Sequence, residues 1–194
     1  MTLQSAAAIR EYAGKSLLVK YERELIAALL PAIDNGDSET VAWFAGFGNS
    51  LSAILMNVHG YRKRPEFGFT EISFDKYGWF ESPVFFDYEV IKLGNTARYG
   101  EYSEIRIGKG PNWVWSFALS YSFGCAGGGS ALSVYDPHFN SRDAALNTAL
   151  GKLKKLMTAK ISDQDIANFK QDVISKTLKA ISQYEIDMVQ LSLF

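Results

Sequence analysis

The chain has 194 residues, which suits one domain or one domain with an appendage. Hydrophobic residues make up 47% and aromatics 14%, which supports a packed core and excludes a chain disordered throughout. The 20 basic and 21 acidic side chains nearly cancel, which excludes a strongly cationic nucleic-acid binder and leaves room for a local basic patch.

A single cysteine, Cys125, excludes an internal disulfide and a cysteine-only metal site. The first residues, MTLQSAAAIREY, lack a basic region followed by an apolar run, so no signal peptide is expected. The longest aliphatic stretch, Leu25 to Leu30, is too short to span a bilayer. A cytoplasmic location is the expectation.

Residues Ser5 to Tyr12 read as a short helix closed by Gly14. A second helix is predicted from Lys15 to about Ile33, because Leu17, Leu18, Tyr21, Leu25 and Leu29 recur at helical spacing. Pro31 and the run Asp34-Asn35-Gly36-Asp37 supply its stop. Val41, Phe44, Leu51, Ile54 and Leu55 suit a buried helix over Ser38 to Val58, weakened in the middle by Gly46 and Gly48.

From Gly60 the aromatic and β-branched residues multiply. Strands are predicted over Phe67–Phe74, Val84–Leu93, Tyr102–Ile107, Trp113–Phe123 and Leu132–Tyr135. The fourth is the clearest: Trp113, Trp115, Phe117, Leu119, Tyr121 and Phe123 fall on one face, and small or polar residues alternate with them. So large an apolar face requires cover from helices. Two helices close the chain. One is capped by Asn140 or Ser141 and carries a stripe from Leu146 to Met157; the other starts at Ser162-Asp163-Gln164-Asp165 and runs to about Tyr184. The fold class expected is α+β: an antiparallel meander of about five strands packed against N-terminal and C-terminal helices. A single domain is expected over residues 1–185, with 186–194 as a docking tail; no linker stands out, and the place for one, if it exists, is Glu185 to Val189.

The chain nominates no catalytic set, no metal ligands and no cofactor. The run Gly124-Cys125-Ala126-Gly127-Gly128-Gly129-Ser130 offers backbone amides to a phosphate but lacks the Gly-Lys-Ser/Thr ending of a P-loop. It reads more simply as a hairpin loop. Cys125, Asp136 and His138 are of the residue types for a nucleophile, an acid and a base, but their spacing does not require that arrangement. With His59 and His138 as the whole histidine complement, a zinc site is not expected. The run His59-Gly60-Tyr61-Arg62-Lys63-Arg64 is basic and aromatic, and Arg62, Lys63 and Arg64 are its candidate phosphate contacts; the alternative is a solvated loop.

Residues Gln190-Leu191-Ser192-Leu193-Phe194 have the character of a linear docking peptide, with one amide for orientation and three apolar anchors. This segment resembles the bacterial sliding-clamp-binding motif, whose pattern is Gln, Leu, Ser or Asp, Leu, Phe. The resemblance implies that Gln190 enters one clamp subsite, Leu191 assists, Ser192 occupies the variable position, and Leu193 with Phe194 fill the deep hydrophobic subsite. It implies a partner, the sliding clamp of a bacterial DNA polymerase, and not a fold. A second stretch, from Trp113 through the Gly127 run to Ser141-Arg142-Asp143-Ala144-Ala145, resembles small accessory proteins of bacterial mobile elements.

The function expected on these grounds is a clamp-binding adaptor or regulator in bacterial DNA replication or repair, encoded by a phage or other mobile element. The alternatives are a nucleic-acid-binding accessory module using Arg62, Lys63 and Arg64, and an enzyme whose site is assembled from positions distant in sequence.

Overall fold

The computed structural model of the chain describes residues 6–14 and 18–191, with the side chain of Leu191 left aside. It shows an α+β protein. Among the described residues, six helices accompany one antiparallel sheet of four strands in the order β1-β2-β3-β4. The chain divides into two compact units, Met1–Pro83 and Val84–Phe194, where the sequence suggested one domain over 1–185. Each unit has its own buried apolar cluster, and this is the physical basis of the division.

The first unit is helical: α1 (Ala6–Gly14), α2 (Lys20–Asp34), α3 (Ser38–Ala45) and α4 (Leu51–Tyr61). Leu25, Leu29, Phe47, Leu55 and Val58 are fully buried at its centre, with Ile9 of α1 against them. The break that Gly46 and Gly48 suggested is real, since α3 ends at Ala45 and Ser50 caps α4 by accepting a hydrogen bond from the Ala53 amide at 3.3 Å. Buried Asn57 secures the connection, its side-chain amide donating to the Phe47 carbonyl at 2.7 Å. Pro31 does not end α2; it sits inside the last turns of that helix.

The strand expected at Phe67–Phe74 does not form. Pro65 lacks an N–H and has a φ suited to a helical start, so Arg64–Phe67 close a 3-10 turn. Gly68, at φ 82°, ends that turn in the left-handed region. Phe74 then meets Phe80 in an isolated bridge.

The second unit holds β1 (Phe86–Gly94), β2 (Tyr102–Lys109), β3 (Trp115–Ser122), β4 (Gly127–Gly129), α5 (Arg142–Thr158) and α6 (Gln171–Leu191). Ile105, Ile107, Phe117, Leu119 and Phe123 cover one face of the sheet and pack against Leu146, Leu150, Leu153 and Met157 of α5 and Ile174 and Ile181 of α6. Ser141 caps α5 as expected, accepting from the Ala144 amide at 3.2 Å. Glu89 of β1 receives a bidentate pair of hydrogen bonds from Arg142, both at 2.7 Å, which ties the edge strand to the start of α5.

Three sequence expectations change here. The strand expected at Leu132–Tyr135 is a turn closed by Asp136, whose carboxylate accepts from the Ser133 amide at 2.7 Å; the last strand is instead the glycine run Gly127–Gly129. Trp113 leaves the apolar face: it has φ 68°, is 69% exposed, and lies against the Lys109 ammonium at 3.5 Å. The final helix starts at Gln171, nine residues after Ser162, and continues to Leu191. Residues 163–170 instead run beside the end of β3, where the Lys170 amide donates to the Phe123 carbonyl at 2.8 Å and the Ala126 amide to the Asn168 carbonyl at 3.1 Å. Residues 185–191, the place named for any linker and the start of the tail, lie within that helix.

Candidate functional site

Strand alternation sends residues of opposite parity to opposite faces. Since Ile105, Ile107, Phe117 and Leu119 face the helices, the other face carries Val90 and Lys92 of β1, Tyr102, Glu104 and Arg106 of β2, and Ala118 and Ser120 of β3. The register sets Lys92 opposite Glu104 and Glu104 opposite Ser120. Part of this face is covered by the chain after β4, where Ser116 donates its hydroxyl to the Pro137 carbonyl at 2.7 Å. The rest is open.

That open part is a concave site of about 390 Å³, floored by Tyr102, Glu104, Arg106 and Ser120 and walled by Tyr99 and the Gly124–Gly128 segment. Arg106 is fixed from two sides, with Nη2 on Glu104 Oε2 at 2.6 Å and Nη1 donating to the Ser130 carbonyl at 2.8 Å. Lys92 Nζ lies 3.9 Å from Glu104 Oε1 and 5.0 Å from the centre of the Tyr102 ring. At the rim, Arg98 pairs with Glu101 at 3.5 Å and Tyr99 is 97% exposed. Lys170 lays its aliphatic stem against Gly124. Arg106 and Glu104 line the site, Lys92 and Arg98 stand next to it through their pairs with Glu104 and Glu101, and the stem of Lys170 borders it at Gly124, on a chain whose formal charge is −1. The site can hold a planar ring against tyrosine and an anion against the guanidinium and ammonium groups.

The residues singled out in the sequence are distributed over both units. Arg64 of the first unit is buried, with its guanidinium 3.6 Å from the centre of the Phe80 ring and donating to the Glu81 carbonyl. Lys63 pairs with Glu66 at 2.8 Å, and Arg62 is exposed at the C-cap of α4. Much of that basic run is therefore engaged in holding its own fold. His59 stacks on Tyr21 at 4.1 Å. In the second unit Cys125 is exposed at the wall of the concave site, and His138 is exposed. Asp136 belongs to the Ser133 turn, and burial pushes its carboxyl above the ordinary aspartate range. Among the described residues no group of three or more His, Cys, Asp or Glu could hold a metal ion.

Of the docking segment, Gln190 is exposed on the last turn of α6 and Leu191 is the last residue of that helix; Ser192, Leu193 and Phe194 lie outside the described residues. A second, more apolar groove of about 670 Å³ runs along α6, lined by Ile161, Ile174, Leu178 and Ile186. Among the described residues, no helix is long and apolar enough to cross a membrane.

The concave sheet site was not found from sequence. The alternation of Tyr102, Glu104 and Arg106 was visible, but only the register brings Lys92, Ser120 and the glycine wall beside them. No protein-family pattern, curated protein or solved structure matches the chain.

Proposed function

We propose that the protein is a docking adaptor or regulator of bacterial DNA replication or repair, encoded by a phage or other mobile element. It engages the sliding clamp through Gln190, Leu191, Ser192, Leu193 and Phe194. The observation that carries this reading is the match of all five residues to the clamp-binding pattern, with Gln190 exposed on α6. Gln190 presents a donor and an acceptor for orientation. Leu193 and Phe194 supply the apolar area, each worth roughly 1.5–3 kcal/mol when fully buried in a preformed pocket. Part of that gain is offset by ordering the segment, so one copy binds modestly.

The test is binding to purified bacterial clamp, read by surface plasmon resonance. The full chain is compared with a chain lacking residues 190–194 and with Leu193→Ala/Phe194→Ala. Loss of binding by at least about tenfold in both variants is expected from the buried area. Equal binding by the full and shortened chains overturns the proposal.

A further inference from the structure

We propose that the open face of the sheet binds single-stranded nucleic acid, with bases stacked on Tyr99 and Tyr102 and phosphates held by Lys92, Arg98, Arg106 and Lys170. This goes beyond the docking reading and does not depend on it, because none of the described residues of the docking segment lines the site.

The ligand follows from three features of the site. The first is the way Tyr99 is presented. A side chain 97% exposed on a loop tip contributes little to a core, yet its loop is firmly built. The Asn95 amide donates to the Glu101 carbonyl at 2.9 Å, and the Glu101 amide to the Arg98 carbonyl at 3.2 Å. The Asn95 side chain bonds Glu101 at 2.7 Å, and Ser122 donates its hydroxyl to the Gly100 carbonyl. With the backbone of the loop already fixed, a base that stacks on Tyr99 has little beyond that one side chain to order. Every base has a π-face, so such a platform takes bases without strong sequence preference.

The second feature is charge. Lys92, Arg98, Arg106 and Lys170 outnumber Glu101 and Glu104 around the site, while the whole chain is slightly acidic. The cations stem from β1, β2, the loop between them and the segment before α6, so they track an extended backbone better than they enclose one free phosphate. The third is shape. A cavity of about 390 Å³ accepts a splayed base but not a helical duplex. Gly127 and Gly128 add no side chains of their own to the wall, where the Tyr121 ring reaches Gly128.

The probe is fluorescein-labelled dT12 and rU12 with the full chain, followed by anisotropy at low salt. Binding is expected to weaken with salt, as counterion release requires. Tyr99→Ala is expected to weaken it by roughly tenfold, whereas Tyr99→Phe keeps the ring and restores it. Lys92→Ala should flatten the salt slope, a change that loss of packing alone would not cause. Duplex of equal length should bind at least about tenfold more weakly. Deletion of residues 190–194 should leave oligonucleotide binding intact, which separates this proposal from clamp docking. The proposal is overturned by absence of salt-dependent binding, by equal affinity for duplex, or by a Tyr99→Ala variant that binds like the parent. It is also overturned if Arg62→Ala/Lys63→Ala removes binding that Tyr99→Ala leaves in place.

Discussion

Replacing the glycines of β4 tests whether that run serves chain packing or a ligand. A Cβ added at Gly129 would lie 2.6 Å from the Ser120 Cα and 2.8 Å from the Leu119 carbonyl oxygen, both backbone atoms of the neighbouring strand. At Gly127 the nearest obstacle is the Tyr121 carbonyl oxygen, again backbone. Backbone atoms inside a ladder cannot turn aside, so β4 must move off β3. Overpacking of this kind costs about 1–3 kcal/mol, partly offset by about 0.4–1 kcal/mol from the lower entropy of the unfolded alanine chain. Gly128 differs: its added Cβ would meet the Tyr121 hydroxyl at 2.9 Å, the far end of a side chain that can swing away. Gly127→Ala and Gly129→Ala should therefore each lower stability by roughly 1–2 kcal/mol. Gly128→Ala should lie near zero. Urea unfolding followed by tryptophan fluorescence reads the difference as a fall in midpoint at constant slope. If all three variants unfold at the same urea concentration, close strand approach is not the reason for the glycines.

Two further substitutions probe the second unit. Thr177 of α6 is fully buried and its hydroxyl has no hydrogen-bond partner among the described residues, so Thr177→Val should raise stability by about 1 kcal/mol; a calorimetric melting temperature at or below the parent's refutes this. The Arg142 guanidinium beside Glu89 holds that carboxylate below its ordinary pKa, so the pair stabilises the fold above the unfolded-state value of about 4.3 and loses that contribution as pH falls through the folded value. Both side chains are about a third exposed, so Glu89→Gln should cost only about 0.5–1 kcal/mol at pH 7. The gap between variant and parent should close as pH falls through the lowered folded-state pKa of Glu89, and a gap that stays constant all the way to acid unfolding excludes the ion pair as its cause.

Where burial follows a simple period, the sequence was readable. The stripe Leu146, Ala149, Leu150, Leu153 and Met157 is buried on α5, and Ser141 caps it. The alternation from Trp115 to Phe123 likewise matches the inner face of β3. Where the deciding partner lies elsewhere, it was not. Gly127–Gly129 has no side chains to display a period, and its strand exists because β3 supplies the ladder. Phe67–Phe74 has β-forming residues, yet the 3-10 turn at Pro65 and the bridge between Phe74 and Phe80 take the place of a ladder. The capping signal at Ser162 was misplaced in a related way. Asp163 and Asp165 bond nearby amides in local turns, at 3.0 and 3.2 Å, and the side chain of Gln171 then bonds back to the Lys160 carbonyl at 3.1 Å.

The end of α6 bears on how the proposed docking segment could act. Val173, Ile174, Thr177 and Ile181 are buried; Tyr184 and Met188 pack at the margin of the same cluster. Ile186 and Val189 are 51% and 61% exposed, and Gln190 is exposed, so Met188 is the last described residue of the helix to reach that core. The final carbonyls of any helix lack intrahelical partners. Terminal turns of this kind open at a free-energy cost close to zero. Gln190 and Leu191 can therefore leave the helix for an extended pose without disturbing the stripe from Val173 to Met188. The helical start of the segment and a requirement for extended docking are compatible for that reason. On the proposed reading, α6 carries Gln190 exposed on a packed helix, and a partner that needs an extended segment has only the last turn of that helix to unwind.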